Sequence, residues 1–400
     1  MQQGADGPHL TYCSNIHPGE SWQETRAAVL RYVPQVRDRV APGQRFGVGL
    51  RLSNEAVTTL LSGDALAEFA AALTEANLYV FTINGFPYGP FHGTPVKEKV
   101  YRPDWREPER ELYTQRLIDA MERLLPDGLT GSISTVPGCF GERAVPGALE
   151  RVAEALRRQA ADLSYRARER GVTIALALEP EPACALETIA DTTAFFRDHL
   201  LIAESIQRFA KLTALTPSDA ELALRTHVGV CLDTCHAAVE FEDPVEAVQT
   251  LRREGITIAK AQLTTGIAVT DVTAPKVAAL RPFADEVYLH QVVARGPEGV
   301  VRYIDLPDAF AAFEAGQTPT EEWRIHFHVP VFQRDLGLFG NTQAFLGTAL
   351  SELLRTEATE HLEVETYTWD VLPPAHRHAS VVDGIVGELA WVLSAAPHKR

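Results

Sequence analysis

The sequence predicts a parallel (β/α)8 barrel, and three observations predict it. Strand-like and helix-like stretches alternate eight times along the 400 residues. The strands read as near-continuous apolar runs, the pattern of buried parallel strands. Four of them end in polar side chains, at the edge where barrels gather their loops and their chemistry. Strict alternation implies a parallel sheet, and eight is the number that closes it. A doubly wound open sheet is the competitor, but no GxGxxG and no phosphate loop follows the first strand.

Taken in order, LTYCSNIH (Leu10 to His17) is the first strand, and Ser21 with Glu24 forms a capping box for a helix to about Val40. RFGVGLRLS is the second strand, with DALAEFAAALTEAN its helix. LYVFTINGFPYG, the third, opens into the long loop GPFHGTPVKEKVYRPDW before a helix through Leu112 and Met121. GSISTVPGCF is the fourth, with a long Arg- and Glu-rich amphipathic helix as far as Gly171. VTIALALEPEP is the fifth, followed by one helix over DTTAFFRDHLLIAESIQRFAKL and another over PSDAELALRTH. HVGVCLDTCH is the sixth strand, DPVEAVQTLRREG its helix, and ITIAKAQLTT the seventh strand. Residues 266–340 then break the repeat and are too long for an ordinary loop. They read as an insertion or lid with a hairpin in EVYLHQVVARGPEGVVRYIDL, a short helix at DAFAAFEAG and the extended segment WRIHFHVPVF. The helix NTQAFLGTALSELLRT, the eighth strand HLEVETYTW and the helix DGIVGELAWVLSAA complete a single domain over 1–400.

A hydrophobic content of 46% supplies a large core. A formal charge of −16 repels a phosphate backbone, which disfavours nucleic acid as a partner. MQQGADGPHL has no basic stretch followed by an apolar one, and no later run approaches a membrane span, so a soluble cytoplasmic protein without direct membrane insertion is expected. Cys13, Cys139, Cys184, Cys231 and Cys235 are odd in number and scattered, as reduced packing thiols are.

The strand ends carry the chemistry. Glu179 and Glu181 close the fifth, Asp233 and His236 the sixth, Gln262 the seventh, and Glu363 and Glu365 the eighth. Period-two alternation puts Lys260 on one side with Gln262, and Glu363 with Glu365, the later member nearer the mouth. Carboxylate and amide oxygens converging on one axis make a cage for one divalent cation, with Mg, Mn or Co favoured and Zn admitted. Such a cation chelates a carbonyl and its neighbouring hydroxyl and stabilises an enediolate, while flanking carboxylates remove and return the carbon-bound proton. Glu179 and Glu365 are the candidate bases. His236, Lys260, Glu181 and Asn84 are candidate substrate contacts, and His92 in the long loop offers another beside Lys97, Lys99 and Arg102. Alternation puts His326 and His328 on one face of an extended segment, a chelating arrangement that a lid could carry over the mouth.

At LEPEP, LDTCH, the Gln of AKAQ and the Glu of VETYTW, the chain resembles the xylose isomerase-like superfamily of sugar isomerases and epimerases. The resemblance implies a metal held by Glu179, Asp233, Gln262 and Glu365, with His236 as the histidine of D-x-x-H and the two glutamates as proton carriers. The arginine that the resemblance implies shortly after the seventh-strand ligand is missing near Ala268, and ARGPEGVVRYID, which resembles a later G-x-G-x-I-D segment displaced by the insertion, offers Arg295 as a candidate substitute. Across nearly the whole chain, HLTYCSNIHPGESW, TINGFPYGPFHGTPVKEKVYRPDW, STVPGCF, LEPEP, HFHVPVF and HLEVETYTWDVLP resemble the EboE-type metabolite traffic family. That resemblance implies a role in secondary-metabolite maturation or traffic, with a co-encoded membrane prenyltransferase-like protein as partner.

Three functions compete. The first is a metal-dependent isomerase or epimerase of a small polyol, sugar, sugar phosphate or cyclitol. The second is a phosphodiesterase, which calls for a histidine-rich multi-metal site and a basic groove. The third is a non-catalytic metabolite-binding or traffic protein on the same barrel.

Overall fold

The computed structural model describes residues 1–4, 7–93, 95–141, 145–373 and 380–396. Seven barrel strands come first: β1 (His9–Tyr12), β2 (Phe46–Arg51), β3 (Leu78–Asn84), β4 (Gly131–Thr135), β5 (Ile174–Leu178), β6 (Val228–Asp233) and β7 (Ile258–Leu263). A second set follows: β8 (Ile267–Thr270), β9 (Val292–Gly296), β10 (Gly299–Tyr303), β11 (Glu322–Ile325) and β12 (Gly340–Asn341). The eighth barrel strand is β13 (His361–Val364). The large sheet runs β1-β13-β7-β6-β5-β4-β3-β2 with every pair parallel. A parallel bridge between Cys13 and Gly49 brings β1 back to β2. The predicted eight-stranded barrel is therefore the fold, with the doubly wound alternative excluded.

Helices follow the barrel strands and cover the sheet with their apolar faces, except after β7, where the chain passes into β8 of the second sheet. Ser21 accepts from the Glu24 amide and Glu24 reaches back, so the first helix, Trp22–Val40, starts at the expected box. The helix predicted over 191–212 is broken into Ile189–Phe195, a wide turn Phe196–Leu200 and Ala203–Thr213. Phe195, Phe196 and Leu200 are buried across the wide turn.

Residues 266–340 form more than a hairpin and a helix. Their strands make a separate sheet in the order β10-β9-β11-β8-β12, antiparallel throughout. The segment is tied to the barrel rim where the Val329 amide donates to Thr265 O and the Thr342 amide to Gly266 O, each at 2.9 Å. A Cβ on Gly266 would stand 2.8 Å from both Cys235 Sγ and Ile325 O, so only glycine fits that junction.

The strand expectations ran past the strands into the segments at the mouth, and at two of them the chain turns sharply instead. The first strand stops at Tyr12, and a 3-10 turn, Ser14–Ile16, follows. β11 stops at Ile325, where the Phe327 amide donates to Ile325 O at 2.9 Å, a tight turn centred on His326. The segment bearing His326 and His328 is thus not an extended strand, and alternation does not explain why the two rings meet.

Candidate metal centre

The barrel interior is built in two polar layers. In the lower one Lys260 on β7 pairs with Glu363 on β13, and both side chains are fully buried. Burial lowers the ammonium's pKa, the Glu363 carboxylate outweighs it, and Lys260 ends above its ordinary value. Gly49 on β2 makes room: a Cβ there would overlap the Glu363 carboxylate.

Two residues further along the same strands, the upper layer is differently composed. Gln262 Nε2 donates to Glu179 Oε1 at 2.9 Å, lies 3.4 Å from Asp233 Oδ2, and makes a very short contact with Glu365 Oε2. Three carboxylates from three strand ends thus surround one neutral amide, as alternation requires once Asp233 faces inward. Glu179 Oε2 and Gln262 Oε1 are buried without a hydrogen-bond partner. Burial, then repulsion from Glu365 and Asp233, pushes the Glu179 carboxyl well above the carboxylate range. Burial, then Asp233 and Glu363, pushes Glu365 up to about 8.

Asp233 runs the other way. Burial raises its pKa, but His236, His328 and hydrogen bonds outweigh that and leave it below its ordinary value. Its Oδ1 accepts from Thr264 Oγ1 at 2.5 Å and from the Cys235 and His236 amides at 2.7 and 3.1 Å. Three hydrogen bonds to Oδ1 thus favour the Asp233 carboxylate against a burial that would favour its protonated form.

Of the other predicted residues, Asn84 donates to Glu365 Oε1 at 2.8 Å and so orients a carboxylate. Glu181 accepts from Tyr101 Oη at 2.6 Å. His236, His326 and His328 all reach the centre, with ring centroids 4.5 Å apart for the first two and 5.3 Å for the last two. One donor atom from each of these three lies within 4.8 Å of the others, and the same holds for Glu179, Asp233 and His236. The residues of the centre are therefore able to hold a metal ion.

A cavity opens above them, lined by Glu179, Glu365 and the three histidines below and by Phe86, Phe91, Tyr101, Tyr288 and Tyr367 around the mouth. His92 does not line it; its Nε2 faces Asn15 O at 2.5 Å and its Nδ1 the Tyr288 hydroxyl at 3.3 Å. Lys260 lies in the lower layer, away from the lining. Lys97 reaches the cavity but pairs with Asp305 at 2.7 Å. Arg295 does not enter: it pairs with Glu322 and stacks 4.4 Å from the Phe241 ring centroid, so it does not replace the missing arginine.

Several contacts escaped the sequence. Asn15 donates to Glu365 Oε1 at 2.5 Å, and Gln291 donates to Tyr101 Oη at 2.9 Å. The strand-end rule applied to the first strand finds Asn15, just past Tyr12. Nothing in the sequence marks Gln291, which arrives from the second sheet.

The sequence matches no protein-family model and no curated protein. Among solved structures, the chain is similar to the IolI protein with a bound zinc atom at 12% identity, 97% coverage of each chain and a TM-score of 0.46. A xylose isomerase domain protein from Alicyclobacillus acidocaldarius gives 12% identity, 96% and 99% coverage and a TM-score of 0.44. An AP endonuclease, family 2, from Brucella melitensis gives 14% identity, 78% and 91% coverage and a TM-score of 0.37. The barrel assignment rests on this chain's own strand order. No single helix among the described residues is long and apolar enough to cross a membrane.

Proposed function

We propose that this chain is a divalent-metal-dependent isomerase or epimerase of a small hydroxy-carbonyl compound, a sugar, sugar phosphate or cyclitol. The observation that carries the proposal is the convergence of Glu179, Asp233 and Glu365 on Gln262, with a buried oxygen of Glu179 and of Gln262 left unpartnered. Three buried carboxylates around one neutral amide are strongly disfavoured without a compensating cation, and oxygen donors suit a hard or borderline one. Glu179, Asp233, Gln262 and Glu365 would hold it. When bound, the cation supplies Lewis acidity to a carbonyl and its adjacent hydroxyl.

The protein's own groups do the rest. Glu179 and Glu365, from the ends of β5 and β13, are the pair that takes the carbon-bound proton and returns it. Asn15 and Asn84 fix the Glu365 carboxylate by two hydrogen bonds to Oε1. The aromatic rings lining the cavity give the reacting atoms an apolar wall. A phosphodiesterase is less well supported, because the cavity is walled by aromatic rings rather than by a basic groove. The motif resemblance supports a finer placement: an EboE-type protein of secondary-metabolite maturation or traffic, cytoplasmic, beside a co-encoded membrane prenyltransferase-like partner.

The test is elemental analysis of the purified protein, paired with a deuterium-incorporation screen over small sugars and cyclitols in deuterated water. Bound divalent metal and carbon-bound deuterium that disappears in Glu365→Gln are expected. Metal without exchange across the screen favours a binding or traffic role on the same barrel, and absence of metal overturns the proposal.

A further inference from the structure

The cavity wall restricts the part of the substrate that a metal would not hold. Among the described residues, three buried polar atoms of the lining have no hydrogen-bond partner: Asn15 Oδ1, Glu179 Oε2 and His328 Nε2. All three are acceptors. Asn15 Nδ2 donates to Glu365, so the oxygen is the free end of that amide. His328 Nδ1 stands 2.8 Å from Glu365 O. A carbonyl oxygen only accepts, so Nδ1 carries the hydrogen and, in the neutral ring, Nε2 carries the lone pair.

Glu181 adds a carboxylate outside the four residues that would hold the metal. It lines the cavity, is buried, and among the described residues pairs with no Lys or Arg. Gln291 Nε2 donates to Tyr101 Oη at 2.9 Å, so the Tyr101 hydroxyl turns its own hydrogen to Glu181 Oε1 at 2.6 Å. Gln291 Nε2 also donates to Pro182 O at 3.1 Å, which turns the amide oxygen toward His326 Nδ1 at 2.8 Å and makes His326 an Nδ1–H tautomer. That ring stands 3.5 Å from Glu181 but brings it no charge, because burial holds its pKa well below that of ordinary imidazole. His236 and His326 meet Nε2 to Nε2 at 3.1 Å, so a proton there is shared between the rings rather than offered to a ligand. Lys97 is the one Lys or Arg in the described lining, and Asp305 at 2.7 Å and Asp285 O at 2.9 Å already hold its ammonium.

The wall therefore asks for donors and for positive charge. A phosphate brings only acceptors and a charge that Glu181 repels. A hydroxyl donates one hydrogen and leaves the Glu181 charge buried and unmatched. A protonated amine donates up to three hydrogens, matches the carboxylate and is drawn to the faces of the aromatic rings. We propose that the substrate is an amine-bearing polyol, an amino sugar or aminocyclitol, and that Glu181 selects it over the phosphate ester, a narrowing that rests on the isomerase reading above.

The experiment is titration calorimetry of the purified full-length chain at neutral pH with two matched series. One is glucose, glucosamine, N-acetylglucosamine and glucose 6-phosphate; the other is inositol, an amino-deoxyinositol, its N-acetyl derivative and inositol monophosphate. In at least one series the free amine should bind about tenfold or more tighter than both the parent polyol and the phosphate ester. Acetylation, which removes the charge, should abolish that advantage. Glu181→Gln should bring amine and parent to equal affinity while elemental analysis finds the same metal content as in the wild type. If that variant fails to fold by circular dichroism, the comparison of free and acetylated amine on the wild type decides. A phosphate ester or parent polyol that binds as tightly as the amine in both series, an acetylated amine that binds as well as the free one, or no amine binding at all overturns the assignment. Deuterium exchange on a sugar without any amine preference would sink this proposal and leave the isomerase standing; an amine preference lost in Glu181→Gln, without exchange on any compound, would do the reverse.

Discussion

β7 and β13 each contribute a polar residue to both interior layers, two positions apart, and the layers solve opposite problems. Below, Lys260 meets Glu363 and the charges cancel in a dry interior. Above, Gln262 meets Glu365, Glu179 and Asp233, and the group they share is a neutral amide rather than a cation. A barrel whose interior tolerated uncompensated charge would not need the lower pair. The difference teaches that the upper layer's imbalance is tolerated for a purpose, since three carboxyl groups buried there, charged or forced to keep a proton, cost folding energy that apolar side chains would not.

Breaking the lower layer should have the largest effect. Lys260→Met is expected to destabilise by about 3–5 kcal/mol, the usual cost of leaving a buried charge unpaired. Lys260→Met with Glu363→Leu should recover most of that, and urea denaturation of the two variants measures it; equal losses would mean that the pairing does not matter.

In the upper layer, Glu365→Gln should barely unfold the protein, because it removes one of three repelling carboxylates. It should lower substrate deuterium exchange by about 10²–10⁴, the range of a lost general base. Exchange at the wild-type rate would remove Glu365 from the chemistry.

An intermediate case sharpens the contrast. Glu388 on the last helix is buried, accepts from Thr366 Oγ1 at 2.5 Å and the Val331 amide at 3.3 Å, and is pushed by burial to about 8. The folded state keeps a proton that the unfolded chain releases from about 4.3 upward. Stability from this group is therefore complete below that value and declines as pH rises to about 8, by up to about 1.4 kcal/mol per pH unit. Glu388→Gln should flatten the decline between pH 5 and 8 relative to wild type. Identical slopes in urea titrations would show that Glu388 ionises freely. Metal-free Glu179 and Glu365 carry the same sign, and added divalent metal should reverse it.

The smallest expected change is at Thr264, whose hydroxyl bonds Asp233 Oδ1 at 2.5 Å. Thr264→Val should cost about 1–2 kcal/mol and weaken divalent-metal affinity about tenfold or more, measured by competition with a chromogenic chelator. Unchanged affinity would mean that the two amide hydrogen bonds suffice to hold Asp233.

Much of this was legible in one dimension. Apolar runs, caps and alternation are local, so the sequence determined the eight strands, their order of chemistry and the four residues Glu179, Asp233, Gln262 and Glu365 that meet at the mouth. Where a strand stops is decided by competition with long-range hydrogen bonds, so the turn that delivers His326 was beyond reach, whereas Asn15 lay where the strand-end rule points. Only the tertiary structure could bring Gln291 from the second sheet to set the His326 tautomer, because contacts between segments remote in sequence leave no periodicity to read.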